Sequence, residues 1–225
     1  MAPKPRKNDH DAPHRPAVSA QKVSSGLGER LRIAREKKGM TVRGLARYVG
    51  VSPSLVSQIE RGRVMPSVGT LYNIANQLGL VVDDLFRSGT AGKGRDTPSH
   101  LVDNPDLVQH PGGRKIISLA DGVSWERLTP GPDREVEFLL VAYEAGAESC
   151  PDNALVRHGG KEYAYLLSGR LGIKIGFEEF ELSAGDSISF DAQMPHRLWT
   201  IGRERAVALW VVLNRHGDNR VLPSS

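Results

Sequence analysis

Residues 41–62 read TVRGLARYVGVSPSLVSQIERG, and this stretch decides the first half of the fold. Thr41 is a capping residue: its hydroxyl can accept a backbone N–H of the first turn of a helix running from Val42 to Tyr48, with Leu45 and Ala46 turned inward. Gly50 supplies a tight turn. Ser52 caps again, and Pro53 takes the first helical position, where a missing N–H costs nothing. Val56 and Ile59 face inward on this next helix, which stops at Gly62. Two short helices joined by a tight glycine turn predict a helix-turn-helix, although by period alone a small bundle with another task reads the same way.

Upstream, Leu27, Leu31 and Ala34 form one apolar stripe among charged residues, ending at Gly39. Downstream, Pro66 and Ser67 open a helix carrying Leu71, Ile74, Ala75 and Leu78, closed by Gly79, and a short element from Val82 to Phe86 follows. The expectation is an all-α, five-helix domain over residues 26–87. Residues 1–25, with prolines at 3, 5, 13 and 16 and no apolar period, read as a flexible arm, and residues 88–112 as a linker. From Arg114 onward the period is that of strands: Ile116–Leu119, Val123–Leu128, Val136–Tyr143, Tyr163–Leu167, Leu171–Ile175, Phe180–Leu182, Ile188–Phe190 and Val207–Leu213, with glycine turns between them. Short strands with no interleaved helices predict an all-β barrel or sandwich over residues 113–225.

Composition narrows the function. A single cysteine, Cys150, excludes an internal disulfide framework and a four-cysteine zinc site. No stretch approaches 18 uncharged apolar residues, and the N-terminal residues hold no apolar secretory core, so the expected location is the cytoplasm, with no membrane partner. Residues 1–90 carry a net charge of +8 and residues 91–225 a net −4, which makes the front part the candidate for nucleic acid.

The front domain also resembles a known family. Leu31, Arg35, Gly39, Met40 and Thr41, then Leu45, Ala46, Gly50, Val51 and Ser52, then Val56 through Gly62, and finally Pro66, Ser67, Leu71, Ile74, Ala75, Leu78, Gly79, Leu85 and Phe86 follow in order and spacing the lambda-repressor-like, or xenobiotic-response-element, helix-turn-helix family. The resemblance implies binding to a double-stranded DNA operator, with base reading by Pro53, Ser54 and Gln58. Gln58 suits adenine N6/N7, Ser54 is less selective, and Leu55 can meet a thymine methyl. Where the family commonly has a backbone-contacting glutamine this chain has Val42, which leaves phosphate anchoring to Thr41, Arg43 and, beyond the recognition helix, Arg63. Glu60 reads as a structural partner of Arg35 rather than a DNA contact. A module this small implies a homodimer reading two half-sites about 34 Å apart.

In the rear domain His158 and Glu162 lie four apart, with His196 on a later segment. Nitrogen and carboxylate ligands so placed can form a metal site, though surface histidines and glutamates are common. Residues 155–213 are similar to a cupin, a double-stranded β-helix or jelly-roll barrel. Glu162, Gly169, Gly185 and His196 fit its two motifs and His158 takes the second histidine, but Val156 stands at the first, and Asp191, Gln193 and Thr200 replace the usual proline, glycine and asparagine. The resemblance implies three ligands, His158, Glu162 and His196, for one divalent metal (Fe, Mn, Ni or Zn). The same groups can instead hydrogen-bond an organic molecule. Strand alternation, counted from Glu162, turns Ala164 and Leu166 inward and Tyr163 and Tyr165 outward; counted from His196, it puts Met194 and Leu198 in the pocket. Trp210 is pocket wall or plain core.

The combination resembles bacterial regulators whose cupin senses a small-molecule effector. The expectation is a transcriptional regulator, a repressor, with no enzymatic activity. The alternatives are a cupin metalloenzyme of dioxygenase or isomerase type fused to a DNA-binding module, and a cupin that serves only as a dimerisation block.

Overall fold

Hydroxyl caps start the helices at the positions where the sequence offers them. The computed structural model describes residues 21–80, 82–86, 107–133 and 135–213; the arm expected before Gln21 and most of the expected linker lie outside these. Helices α1 (Gln21–Lys37), α2 (Val42–Val49), α3 (Pro53–Glu60) and α4 (Val68–Leu78) follow in order. The Thr41 hydroxyl accepts the Gly44 N–H at 3.0 Å, Ser52 that of Leu55 at 3.1 Å, and Ser67 that of Thr70 at 3.3 Å. Each such cap contributes about 1 kcal/mol. Gly50 closes α2 at φ 77°, a left-handed backbone that a side chain would strain, and its N–H returns to the Ala46 carbonyl.

The helical domain has four helices rather than the five expected. Val82–Leu85 is one turn only, too short to sustain a helix of its own. Leu85 and Phe86 are fully buried, so this pair plugs the core, and Arg30 holds the turn by donating to the Leu85 carbonyl at 2.5 Å. Leu27 and Leu31 of α1, Leu45 of α2, Val56 of α3, and Leu71 and Ile74 of α4 complete that core.

Nine strands make the second domain: β1 (Ile116–Ser118), β2 (Val123–Arg127), β3 (Val136–Tyr143), β4 (Lys161–Ser168), β5 (Arg170–Ile175), β6 (Glu178–Ser183), β7 (Ser187–Asp191), β8 (His196–Thr200) and β9 (Ala206–Leu213). They form an antiparallel six-stranded sheet, ordered β1-β2-β3-β9-β4-β7, and a three-stranded sheet, ordered β6-β5-β8. The central ladder is long: β9 pairs with β3 from Val136↔Leu213 to Tyr143↔Ala206, and with β4 on its other side.

The expected closed barrel is not what forms. Among the described residues no continuous ladder joins the two sheets; the edge of β8 meets irregular chain instead, at the isolated bridges Glu148↔Trp199 and Val156↔His196. Alternation along a strand reports which side chains turn inward, but not whether two edge strands find each other, so closure was not readable from the sequence. β8 is also absent from the expected strands. Its run, HRLWT, carries charge and follows Pro195, which hides the period, yet its burial alternates as a half-buried strand does. Among the described residues no helix is long and apolar enough to cross a membrane.

Candidate metal centre and nucleic-acid interface

Glu162 is the second residue of β4, and the alternation expected from it holds: Glu162, Ala164 and Leu166 are buried while Tyr163 and Tyr165 are exposed. His158 precedes β4 by the Gly159–Gly160 turn, and His196 opens β8. All three side chains are buried, at 5%, 2% and 3% exposure, which removes them from the class of incidental surface groups.

Their orientation is set by groups around them. The His158 Nδ1 lies 2.9 Å from the Gly159 carbonyl, and the His196 Nδ1 lies 2.9 Å from the Met194 carbonyl. A carbonyl only accepts, so each ring donates from Nδ1 and turns Nε2 to the interior. Both Nε2 atoms face the same carboxylate oxygen, Glu162 Oε1, at 2.7 Å from His158 and 3.7 Å from His196. The other oxygen, Oε2, accepts the Trp210 indole N–H at 3.0 Å. His158 Nε2 is close to the carboxylate but not aligned with it as a hydrogen bond, so this buried nitrogen makes none among the described residues.

One ligand atom from each residue falls within 4.8 Å of the others. Two imidazoles and a carboxylate, with their outer atoms engaged by carbonyls and an indole, fit a divalent first-row metal and leave coordination positions open. Val156, which stands where a fourth ligand was sought, is buried and has both backbone groups bonded to His196, at 2.9 and 2.8 Å; its apolar side chain lines the cavity. The expectation of a protein without enzymatic capacity is overturned by this buried set, because an open-sided two-histidine, one-carboxylate site has the equipment for metal-assisted chemistry.

The cavity around the set lies between the sheets, walled by Leu139 and Val141 of β3, Trp210 of β9 and Leu198 of β8. About 30 Å³ of it is open to the centres of water-sized molecules. One water needs on the order of 10–15 Å³ on that measure, so the space suits an ion with two or so waters. Tyr143, also on the wall, is fully enclosed. Burial, and after it the neighbouring Tyr72, Glu162 and Cys150, push its phenol well above 10, so it remains a neutral hydrogen-bonding group. Cys150 is no nucleophile here: burial raises its thiol, and Sγ donates to the Ala154 carbonyl at 3.2 Å.

Of the remaining pocket expectations, Trp210 is placed on the carboxylate, whereas Met194 lies in the turn before β8 with its side chain 45% exposed, outside the cavity lining. That turn resets the alternation counted back from His196, and Met194 touches the site only through its carbonyl. Sequence reasoning missed Tyr143, Trp125 and Tyr72. Tyr143 was legible as the last residue of an expected strand. Tyr72 had no local signal, because its partner is in the other domain.

Tyr72 comes from α4. Its ring lies 4.9 Å from that of His158 and 5.1 Å from that of Trp125. Val68 and Tyr72 of α4 both line the metal cavity. The Gly69 N–H donates to the Ser149 carbonyl at 3.0 Å, and the Pro66 carbonyl accepts the Ala120 N–H at 3.0 Å. Gly69 is required by the closeness of this approach: a Cβ there would lie 3.1 Å from a Val156 methyl and 3.2 Å from the Cys150 Cβ.

On the helical domain, Thr41, Arg43, Pro53, Ser54 and Arg63 are exposed, and Gln58 is half-buried. Leu55 is half-buried and leans against the core. Thr41 and Ser52 bring two helix N-termini, α2 and α3, into this set. Glu60 is elsewhere: its carboxylate receives Arg35 in a two-pronged pair at 2.6 and 2.9 Å, while Arg35 also donates to the Met40 carbonyl at 2.7 Å.

Comparison with known proteins agrees with both halves. Residues 31–85 match the helix-turn-helix family and residues 139–212 match the cupin domain family. The HTH-type transcriptional regulator PuuR of Escherichia coli K12 is 25% identical over 170 residues, spanning 75% of this chain and 84% of that protein. The uncharacterised HTH-type transcriptional regulator YazB of Bacillus subtilis is 38% identical over 58 residues, 26% of this chain and 84% of its own. An HTH_3 family transcriptional regulator from Vibrio cholerae shares the fold, with a TM-score of 0.60 at 22% identity over 87% of this chain and 98% of that one.

Proposed function

The chain belongs to the helix-turn-helix family of transcription regulators and joins that domain to a cupin, and from this premise we propose that it is a DNA-binding protein whose cupin holds a divalent metal and is equipped as a metalloenzyme. The observation that carries the reading is the buried His158, Glu162 and His196 set with both Nε2 atoms turned onto one carboxylate oxygen. When bound, the metal supplies Lewis acidity and open positions for a small ligand. The chain's own residues do the rest. Gly159 and Met194 carbonyls hold the two Nδ1 atoms away from the centre, Trp210 fixes the carboxylate, and the apolar walls keep bulk water out. Metal analysis of protein purified without a metal-affinity tag tests this. About one Fe, Mn, Ni or Zn per chain is expected, lost in His158→Ala and His196→Ala. A metal-free wild type that takes up none of these ions on reconstitution would sink it.

A second reading, in which the occupied cavity adjusts operator binding rather than turning over a substrate, is favoured by the presence of Val68 and Tyr72 from the helical domain on the cavity wall. In both readings the division of labour is that of residues 26–87 for DNA and 113–225 for the ligand, joined through 88–112. Pro53, Ser54, Leu55 and Gln58 read bases, and Thr41, Arg43 and Arg63 hold phosphates, within a homodimer on a two-fold operator. Selection of bound sequences from random duplex DNA, followed by titration with the selected site, tests this arm. Gln58→Ala should relax base preference at one position, while Arg43→Ala should weaken all sequences alike and reduce the salt slope by about one.

A further inference from the structure

The metal cavity has two kinds of wall. Leu139, Val141, Glu162 and Trp210 stand on β3, β4 and β9, which are tied together by uninterrupted or nearly uninterrupted ladders. Val68 and Tyr72 stand on α4, a helix from the other domain held to the cupin by the Gly69 and Ala120 hydrogen bonds and by ring packing. Ladders resist displacement, since moving one strand breaks many bonds at once. A docked helix can withdraw as a body for the loss of a few contacts.

The space between these walls decides which ligands enter. With about 30 Å³ open to water centres, an ion and its waters fit as the walls stand. An organic molecule that replaces those waters on the metal needs more room, and Tyr72, packed on His158, is the bulky wall residue that stands on the separately folded helical domain. The opposite face of α4, with Leu71, Ile74, Ala75 and Leu78 buried in the helical core, packs against α2. A close-packed core moves as a unit, so displacement of α4 carries α2 and the recognition helix α3 with it.

We propose that Tyr72 is the size-determining residue of the cupin site: a small oxygen chelator of the metal, such as a hydroxy acid, keto acid or hydroxamate, enters only as Tyr72 and α4 withdraw, so that ligation at the metal repositions the DNA-reading helices. The inference rests on the metal reading above and deepens it. It also gives the sign of the effect on the docking contact: the bare metal leaves α4 seated, and the chelator loosens it. By linkage, whatever unseats α4 in advance must tighten chelator binding by the same factor.

The test uses the full chain loaded with Co(II), whose visible absorption reports metal binding and its change reports chelation, with acetohydroxamate as the probe. Amide exchange over residues 66–72 is followed in parallel, the Gly69 N–H being the sensitive donor. Expected are faster exchange of this segment when acetohydroxamate shifts the cobalt spectrum, and roughly fivefold or tighter chelator binding in Tyr72→Ala, in the ordinary range of coupling between sites. Gly69→Ala, which presses on Val156 and Cys150 without removing a cavity side chain, should move both readouts the same way and covers the case in which Tyr72→Ala does not fold. If the wild type excludes acetohydroxamate but Tyr72→Ala admits it, Tyr72 sets the size limit and the coupling of ligation to α4 is overturned. A spectral shift in the wild type with unchanged exchange over 66–72, or equal chelator affinity in wild type and both variants, overturns the proposal while leaving the metal reading intact. Failure of Co(II) to bind at all overturns the metal reading, and this inference with it.

Discussion

Two of the buried groups of charge-capable side chains among the described residues are built to opposite ends. In the helical domain Arg35 and Glu60, each 8% exposed, satisfy one another twice, and the remaining guanidinium edge is taken by the Met40 carbonyl. In the cupin domain His158, Glu162 and His196 are buried as deeply, yet their outer atoms are satisfied while their inner atoms crowd one oxygen. A closed pair stabilises a fold only while both partners remain. Ligand-type atoms converging on one point are what a cation site requires. Burial of polar groups alone therefore does not mark function; their convergence does.

Breaking each cluster should separate them. The largest expected effect is on metal: His196→Ala removes one of three candidate ligands, so reconstituted protein should retain no divalent ion after desalting, while the metal-free chain still folds, with a stability loss of the size that truncating one buried side chain brings. Measuring both on the same preparation decides whether the set is functional or structural. Arg35→Ala should do the reverse. It leaves the Glu60 carboxylate buried without its partner and is expected to cost about 3–5 kcal/mol in urea unfolding of the helical domain, with metal content unchanged. Glu60→Gln leaves the Arg35 guanidinium without its counter-charge and should also destabilise, by less than Arg35→Ala because the amide oxygen still accepts one Arg35 N–H.

Smaller effects sharpen the contrast. Trp210→Phe keeps the ring and removes the indole donor to Glu162, and metal affinity read by competition with a chelator should fall about 10–100-fold with little loss of stability. An unchanged affinity would make Trp210 ordinary core. Ser52→Ala takes away one cap at the start of α3 and should cost about 1 kcal/mol, seen as a modest shift of the helical domain's unfolding midpoint and none in metal binding.

The caps and turns were legible because they act over three or four residues. Thr41, Ser52 and Ser67 cap the helices that their positions announced, and Val136–Tyr143 alternates as a strand from end to end. The His158, Glu162 and His196 cluster that could hold a metal was legible in part, by type and spacing. The fifth helix was misread because Leu85 and Phe86 look like an amphipathic start, when they are a plug. Met194 was misplaced because a turn breaks the two-residue period on which its assignment rested.

The sequence by itself determined the helix-turn-helix, the run of strands behind it and the kinds of ligand available, since each depends on patterns within a few turns or one strand. Only the tertiary structure decided that the sheets leave their edges unjoined among the described residues, that His158 and His196 turn Nδ1 to the Gly159 and Met194 carbonyls, and that Tyr72 lines a cavity in the other domain. Those features depend on which surfaces meet after distant segments pack. No local period records a contact between residue 72 and residue 158.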